Sequence, residues 1–177
     1  MRSGLAEILG NERWQLTADD IILTIGGSNA LFYCAYSMCN KGDQILLPKP
    51  CFPLLDAICK FLGVQPVMYF TVFTFRYEMN EKDWQPNFED IEEKLATHKK
   101  IRFIMINSPN NPLGSILDED SIRRLIKSNN PIRFIVCEVH NNLPILADEI
   151  YEYMTFPGVP FRFLVDYVTT VPILRYF

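Results

Sequence analysis

The sequence predicts an α/β protein with a mainly parallel sheet flanked by helices. Three observations lead there. Short apolar, β-rich runs alternate with helical segments along the chain. Polar breaks follow three of the apolar runs, at Gly26-Gly27-Ser28-Asn29, at residues 107–114 and at Asp148-Glu149. Open α/β sheets bind ligands at such places, outside the C-terminal ends of their strands. The composition is that of a globular core, with 49% apolar and 21% charged residues in 177. No low-complexity tract or flexible linker divides the chain, so it reads as one compact unit.

The elements follow in order. Residues 21–25 form a short apolar run, read as a strand that Gly26-Gly27 ends. Residues 30–39 suit a buried helix, with Ser28 or Asn29 placed to cap it. Lys41-Gly42-Asp43 is a turn, and residues 44–47 are a strand stopped by Pro48 and Pro50. Residues 52–62 read as a helix closed by Gly63. The alternating run 70–77 reads as a strand that needs a partner. Asn87 caps the next helix, whose first turn carries Glu89 and Asp90 against the helix dipole. Residues 101–106 are a buried strand, 107–114 an irregular loop, 118–127 a helix and 143–147 a last buried strand. Ile132-Arg133-Phe134-Ile135 echoes Ile101-Arg102-Phe103-Ile104, and two copies of four residues make no repeat.

Composition excludes several classes of function. With 13 Phe, 8 Tyr and 2 Trp at a net charge of only −4, the chain is not intrinsically disordered. Its slight acidity argues against nucleic acid as a partner, since phosphate binding needs clustered Lys and Arg. His98-Lys99-Lys100 is too short for a footprint. No apolar run approaches the roughly 20 residues that span a bilayer. The longest, residues 66–75, is half that length, so no membrane partner is expected. The early charge at Arg2 is unlike a signal peptide, which makes a cytoplasmic location the expectation. Cys34, Cys39, Cys51, Cys59 and Cys137 form no Cys-x-x-Cys pair and are expected as free thiols. His98 and His140 lie far from any paired cysteines, so no metal site is expected.

Each polar break has a bland and a functional reading. Gly26-Gly27-Ser28-Asn29-Ala30 is either an ordinary capped turn or a phosphate seat of backbone N–H groups and a hydroxyl at a helix N-terminus. Asn107-Ser108-Pro109-Asn110-Asn111-Pro112-Leu113-Gly114 is either a rigid connector or a loop presenting amides at the sheet edge. Asp148 and Glu149 end a buried strand, where a carboxylate needs a cation or donor as partner. Glu149 reads best as a helix-start acid paired with an arginine.

Taken together these motifs carry a resemblance. Gly26-Gly27-Ser28-Asn29-Ala30, Pro48-Lys49-Pro50-Cys51-Phe52-Pro53, the Asn107–Gly114 run and Ala147-Asp148-Glu149-Ile150-Tyr151 occur in one order. That order is similar to the class I/II aminotransferases among the fold type I pyridoxal-phosphate enzymes, most of all to their tyrosine aminotransferase branch. The resemblance covers residues 16–173 and implies the central part of the family's large, cofactor-binding domain. It also implies pyridoxal 5'-phosphate as cofactor, an amino acid and a 2-oxo acid as substrates, and typically a homodimer. By the same resemblance Ser28, with N–H groups around Gly27 and Asn29, would hold the phosphate. Phe52 would stack on the pyridine ring, and Asn111 and Tyr151 would donate to its phenolic oxygen. Asp148 would pair with the protonated pyridine nitrogen, keeping the ring an electron sink.

The chain also departs from the family. None of its eight lysines follows Asp148, so the family's Schiff-base lysine has no counterpart and no catalytic residue is assigned. The later substrate-binding arginine and the C-terminal small domain are expected to be missing. Residues 70–76 and about 129–140 resemble insertions. A fragment, an aberrant splice product and a gene-model error each fit these departures. Two other functions remain open: a sister enzyme such as an alanine aminotransferase or carbon–sulfur lyase, and a non-catalytic remnant that pairs with another chain. No Gly-x-Gly-x-x-Gly follows a strand, which disfavours a dinucleotide-binding domain. The chain alone is expected to be inactive and only marginally stable.

Overall fold

The computed structural model describes residues 1–10, 15–76, 81–126, 143–167 and 173–176. Its centre is a six-stranded sheet. The strands are β1 (Gln44–Lys49), β2 (Gln65–Arg76), β3 (Glu81–Pro86), β4 (Ile101–Asn107), β5 (Ile145–Asp148) and β6 (Ile173–Tyr176). Their order is β3-β2-β1-β4-β5-β6. Every neighbouring pair is parallel except β2 and β3, which run antiparallel. The strand expected at 70–77 therefore has its partner, in β3. The chain builds outward from β1 to β2 and then returns to add β4 on the other side. This reversal makes a crevice between the C-terminal ends of β1 and β4, the usual ligand position of an open α/β sheet.

Alternation along the strands divides the core into two layers. Leu46, Ile104 and Ile106 face one layer, with Ile91 and Leu95 of helix α4 (Phe88–Thr97) and Leu125 of helix α5 (Glu119–Ile126). Ile45, Leu47, Phe103, Met105 and Leu146 face the other, with Leu31 and Ala35 of α2 (Gly26–Met38) and Leu55 and Ile58 of α3 (Leu54–Leu62). Local chemistry sets the helix ends. Gly63 closes α3 at φ 69, a left-handed conformation that favours glycine. Asn87 caps α4 by accepting the Asp90 N–H at 3.1 Å, as expected. Asp118 caps α5 by accepting the Ser121 N–H at 2.7 Å. A short helix α1 (Arg2–Leu9) precedes these elements.

Four expectations are corrected. Residues 21–25 are irregular rather than a strand: a 3-10 turn at Ala18–Asp20 leads into them, and Ile25 is 89% exposed. Ser28 and Asn29 do not cap α2. Gly26 turns the chain at φ 74, so the helix begins four residues earlier than expected and both lie in its first turn. Pro48 does not stop β1, which continues to Lys49 in register with Phe70. No helix begins at Glu149, which enters a turn instead. Cys34, Cys39, Cys51 and Cys59 are free thiols, and burial pushes the Cys59 thiol up to about 12. The insertion-like stretch 129–140, with Cys137 and His140, lies outside the described residues, as does the end of the helix expected to reach Lys127. Among the described residues no group of His, Cys, Asp and Glu could hold a metal ion, and no helix is long and apolar enough to cross a membrane.

Candidate functional site

Register brings the site residues to one edge of the sheet. Asn107 ends β4 and Asp148 ends β5, and the two are paired across the ladder. Both share the strand parity of Phe103, Met105 and Leu146, so both belong to the layer that α2 covers. Helix α2 returns through the turn at residues 39–43 into β1. It therefore runs antiparallel to the strands, and its N-terminus, with Gly27, Ser28 and Asn29, reaches their C-terminal edge. The N–H groups of that first turn have no partners within the helix. Phe52 follows β1 on the same edge and is 48% exposed, an aromatic ring available to a ligand.

Asp148 is 6% exposed, although it carries a carboxylate. Its backbone carbonyl accepts the Ser108 N–H at 3.0 Å and the Asn107 Nδ2 at 3.1 Å, and its Oδ1 accepts the Ile150 N–H at 3.4 Å. Glu149, 1% exposed, accepts the Leu164 N–H at 2.9 Å. It thereby ties the start of a 3-10 turn (Leu164–Tyr167) to the strand end. The expected reading of Glu149 as a helix-start acid gives way to a buried bracket between two segments.

The loop after β4 is folded by its own asparagines and serines. Asn110 Oδ1 accepts the Leu113 N–H at 3.2 Å, and Ser108 Oγ accepts the Leu117 N–H at 3.0 Å. Asn107 Oδ1 accepts the Asn111 N–H at 2.7 Å. Asn111 Nδ2 then lies 3.5 Å from the Tyr151 hydroxyl. Beside this pair is a cleft of about 370 Å³, lined by Asn110, Asn111, Ile116, Tyr151, Met154 and Phe156 among others. Below, Tyr69 donates to the Met105 carbonyl at 3.0 Å, and complete burial raises its phenol far above the usual range.

Of the seven residues singled out from sequence, the structure joins Asn111 to Tyr151 and sets Asp148 beside the strand that leads to Asn111. Gly27, Ser28, Asn29 and Phe52 share the edge, and among the described residues no hydrogen bond links them to that pair. Asn107 was missed as an individual. Its only sequence signal is an amide at the last position of a buried strand, four residues before Asn111.

Comparisons with known proteins bear on the family and the fold. The family model described as "Aminotransferase class I and II" matches residues 1–173. Tyrosine aminotransferase of Homo sapiens is 30% identical over 159 residues, covering 90% of this chain and 31% of its own length. Alanine aminotransferase from Pyrococcus furiosus superposes with a TM-score of 0.78 at 26% identity, over 98% of this chain and 40% of that one. Cystalysin from Treponema denticola, whose structure contains a pyridoxal 5'-phosphate cofactor, superposes with a TM-score of 0.71 at 18% identity, over 92% of this chain and 38% of that one. The likeness to cystalysin is one of fold alone. The chain spans about a third of the length of the curated relatives it matches.

Proposed function

The chain belongs to the aminotransferase class I and II family, and on that premise we propose that it forms the cofactor-holding part of the large domain of an aminotransferase in the tyrosine branch. The cofactor is pyridoxal 5'-phosphate, and the substrates are an amino acid, aromatic in that branch, and a 2-oxo acid. The observation that carries this reading is the convergence at one sheet edge of buried Asp148 with the Asn111–Tyr151 pair.

The donor set fits that cofactor. A phosphate suits the N-terminus of α2, where the N–H groups of the first turn and the Ser28 hydroxyl are donors. Phe52 would cover one ring face and keep water from it. Asn111 and Tyr151 would supply an amide N–H and a hydroxyl to a phenolic oxygen, and Asp148 would hold a proton on a ring nitrogen. Burial of Asp148 makes that last interaction stronger than it would be in water. When bound, the cofactor supplies an electron sink for the electron pair left at the substrate's α-carbon. Proton transfer there needs an amine base, and none of the eight lysines follows Asp148 in this sequence. The 177 residues alone therefore hold the cofactor without completing amino-group transfer.

Equilibrium dialysis of the purified chain against pyridoxal phosphate tests this. A charge-assisted hydrogen bond contributes about 1.5–3 kcal/mol, so Asp148→Ala should weaken binding by about ten-fold or more. Equal affinity in both proteins would refute the assignment of Asp148.

A further inference from the structure

Asn107 lies between two of the groups assigned to the cofactor, and it bonds to both. Its Nδ2 donates to the Asp148 carbonyl at 3.1 Å, and its Oδ1 accepts the Asn111 N–H at 2.7 Å. Only one orientation of the amide satisfies both contacts, because the reverse would set N–H against N–H and oxygen against oxygen. The side chain is 8% exposed, so neither bond competes freely with water. One end of the clamp is the strand residue Asp148. The other is the loop residue Asn111, whose own amide reaches Tyr151.

We propose that Asn107 is a positioning residue that fixes Asn111 at a set distance from Asp148, so that two edges of one aromatic ring are addressed together. The proposal rests on the cofactor reading above. Replacing the clamp by a merely packed side chain leaves the strands paired, since β4 and β5 are in register over four residue pairs. What it frees is the start of the loop that carries Asn111. The residue therefore acts on ring recognition and not on the phosphate arm, which belongs to α2.

Two variants separate the two bonds. Asn107→Asp keeps the acceptor for the Asn111 N–H and loses the donor to Asp148, whereas Asn107→Leu loses both. The probes are pyridoxal 5'-phosphate, its 3-deoxy analogue lacking the phenolic oxygen, and inorganic phosphate, each followed by equilibrium dialysis. The wild-type chain should prefer pyridoxal phosphate to the 3-deoxy analogue. That preference should fall about three-fold in Asn107→Asp and about ten-fold in Asn107→Leu, in line with roughly one hydrogen bond lost per step. Phosphate affinity should be unchanged in both.

If the wild type binds no pyridoxal phosphate, the cofactor reading fails and the positioning role falls with it. If the wild type shows the preference and both variants keep it, the cofactor reading stands and the role of Asn107 is overturned. An equal loss for all three probes would mark Asn107 as structural only and would also overturn the proposal. Should the variants fail to fold, hydrogen exchange in the wild-type chain decides. Slow exchange of the Asn111 N–H supports the clamp, and exchange at the rate of an unprotected peptide amide overturns it.

Discussion

Two segments border the candidate site, and they are held in opposite ways. Residues 107–118 close on themselves: Asn107, Ser108, Asn110 and Ser115 are all buried polar residues. The Asn110 N–H donates to the Ser115 carbonyl at 2.8 Å, and the Gly114 N–H donates to the Asn110 carbonyl at 2.7 Å. Residues 150–163 make local turns, with the Met154 N–H donating to Tyr151 and the Val159 N–H to Phe156, at 2.8 and 3.0 Å. They also turn Tyr153, Met154 and Phe156 outward, Phe156 being 82% exposed. Asn111 thus sits on a pre-formed loop, whereas its partner Tyr151 is carried by a segment with an apolar surface, whose two ends are joined by the single buried Glu149–Leu164 bracket. The ring-oxygen pair is only as well placed as its weaker arm.

The largest effect should come from that bracket. Glu149→Ala removes the buried acceptor of the Leu164 N–H and should lower unfolding stability in urea by about 2–3 kcal/mol. Hydrogen exchange should accelerate at 150–163 and stay slow at 107–118. Equal acceleration in both would show that the two segments open as one unit.

Ser108→Ala should come next. It leaves the Leu117 N–H without its hydroxyl acceptor, at a cost of about 1–2 kcal/mol, and should loosen the loop around Asn111 first. A loss below about 0.5 kcal/mol would mean that the loop's other bonds, those of Asn107 and Asn110 among them, hold it without the Ser108 hydroxyl. The smallest effect is expected for the double variant Met154→Ser with Phe156→Ser. Both side chains are exposed, so folded stability should stay within about 0.5 kcal/mol while solubility rises, measured by precipitation. A large loss of stability would show that this surface packs against something in the isolated chain.

The same contrast explains what could be read in the sequence. The layered sheet was legible because its apolar runs are short and bounded by turn residues, and the caps at Asn87 and Gly63 act through neighbours a few residues away. Residues 21–25 misled because an apolar run looks alike whether it is a strand or an exposed approach to a helix. The start of α2 was misjudged because Ser28 and Asn29 are good capping residues, and the turn at Gly26 comes earlier. Asp148, Asn111 and Tyr151 were singled out through motif order. The work of Asn107 depends on the β4–β5 register, and that of Glu149 on Leu164, 15 residues away in sequence. Neither contact leaves a local pattern.

The central claim is that the C-terminal edge of the sheet, and not another basic or apolar surface, receives the cofactor. Amide chemical shifts of the labelled chain during a titration with pyridoxal phosphate measure this directly. Gly27, Ser28, Asn29, Asn111, Asp148 and Tyr151 should shift together and saturate at one concentration. Gly42, Lys99 and Lys100, in the turns that enter β1 and β4 at the opposite edge, should not move. Shifts confined to Lys41, Lys99 and Lys100, with the six site residues unmoved, would contradict it.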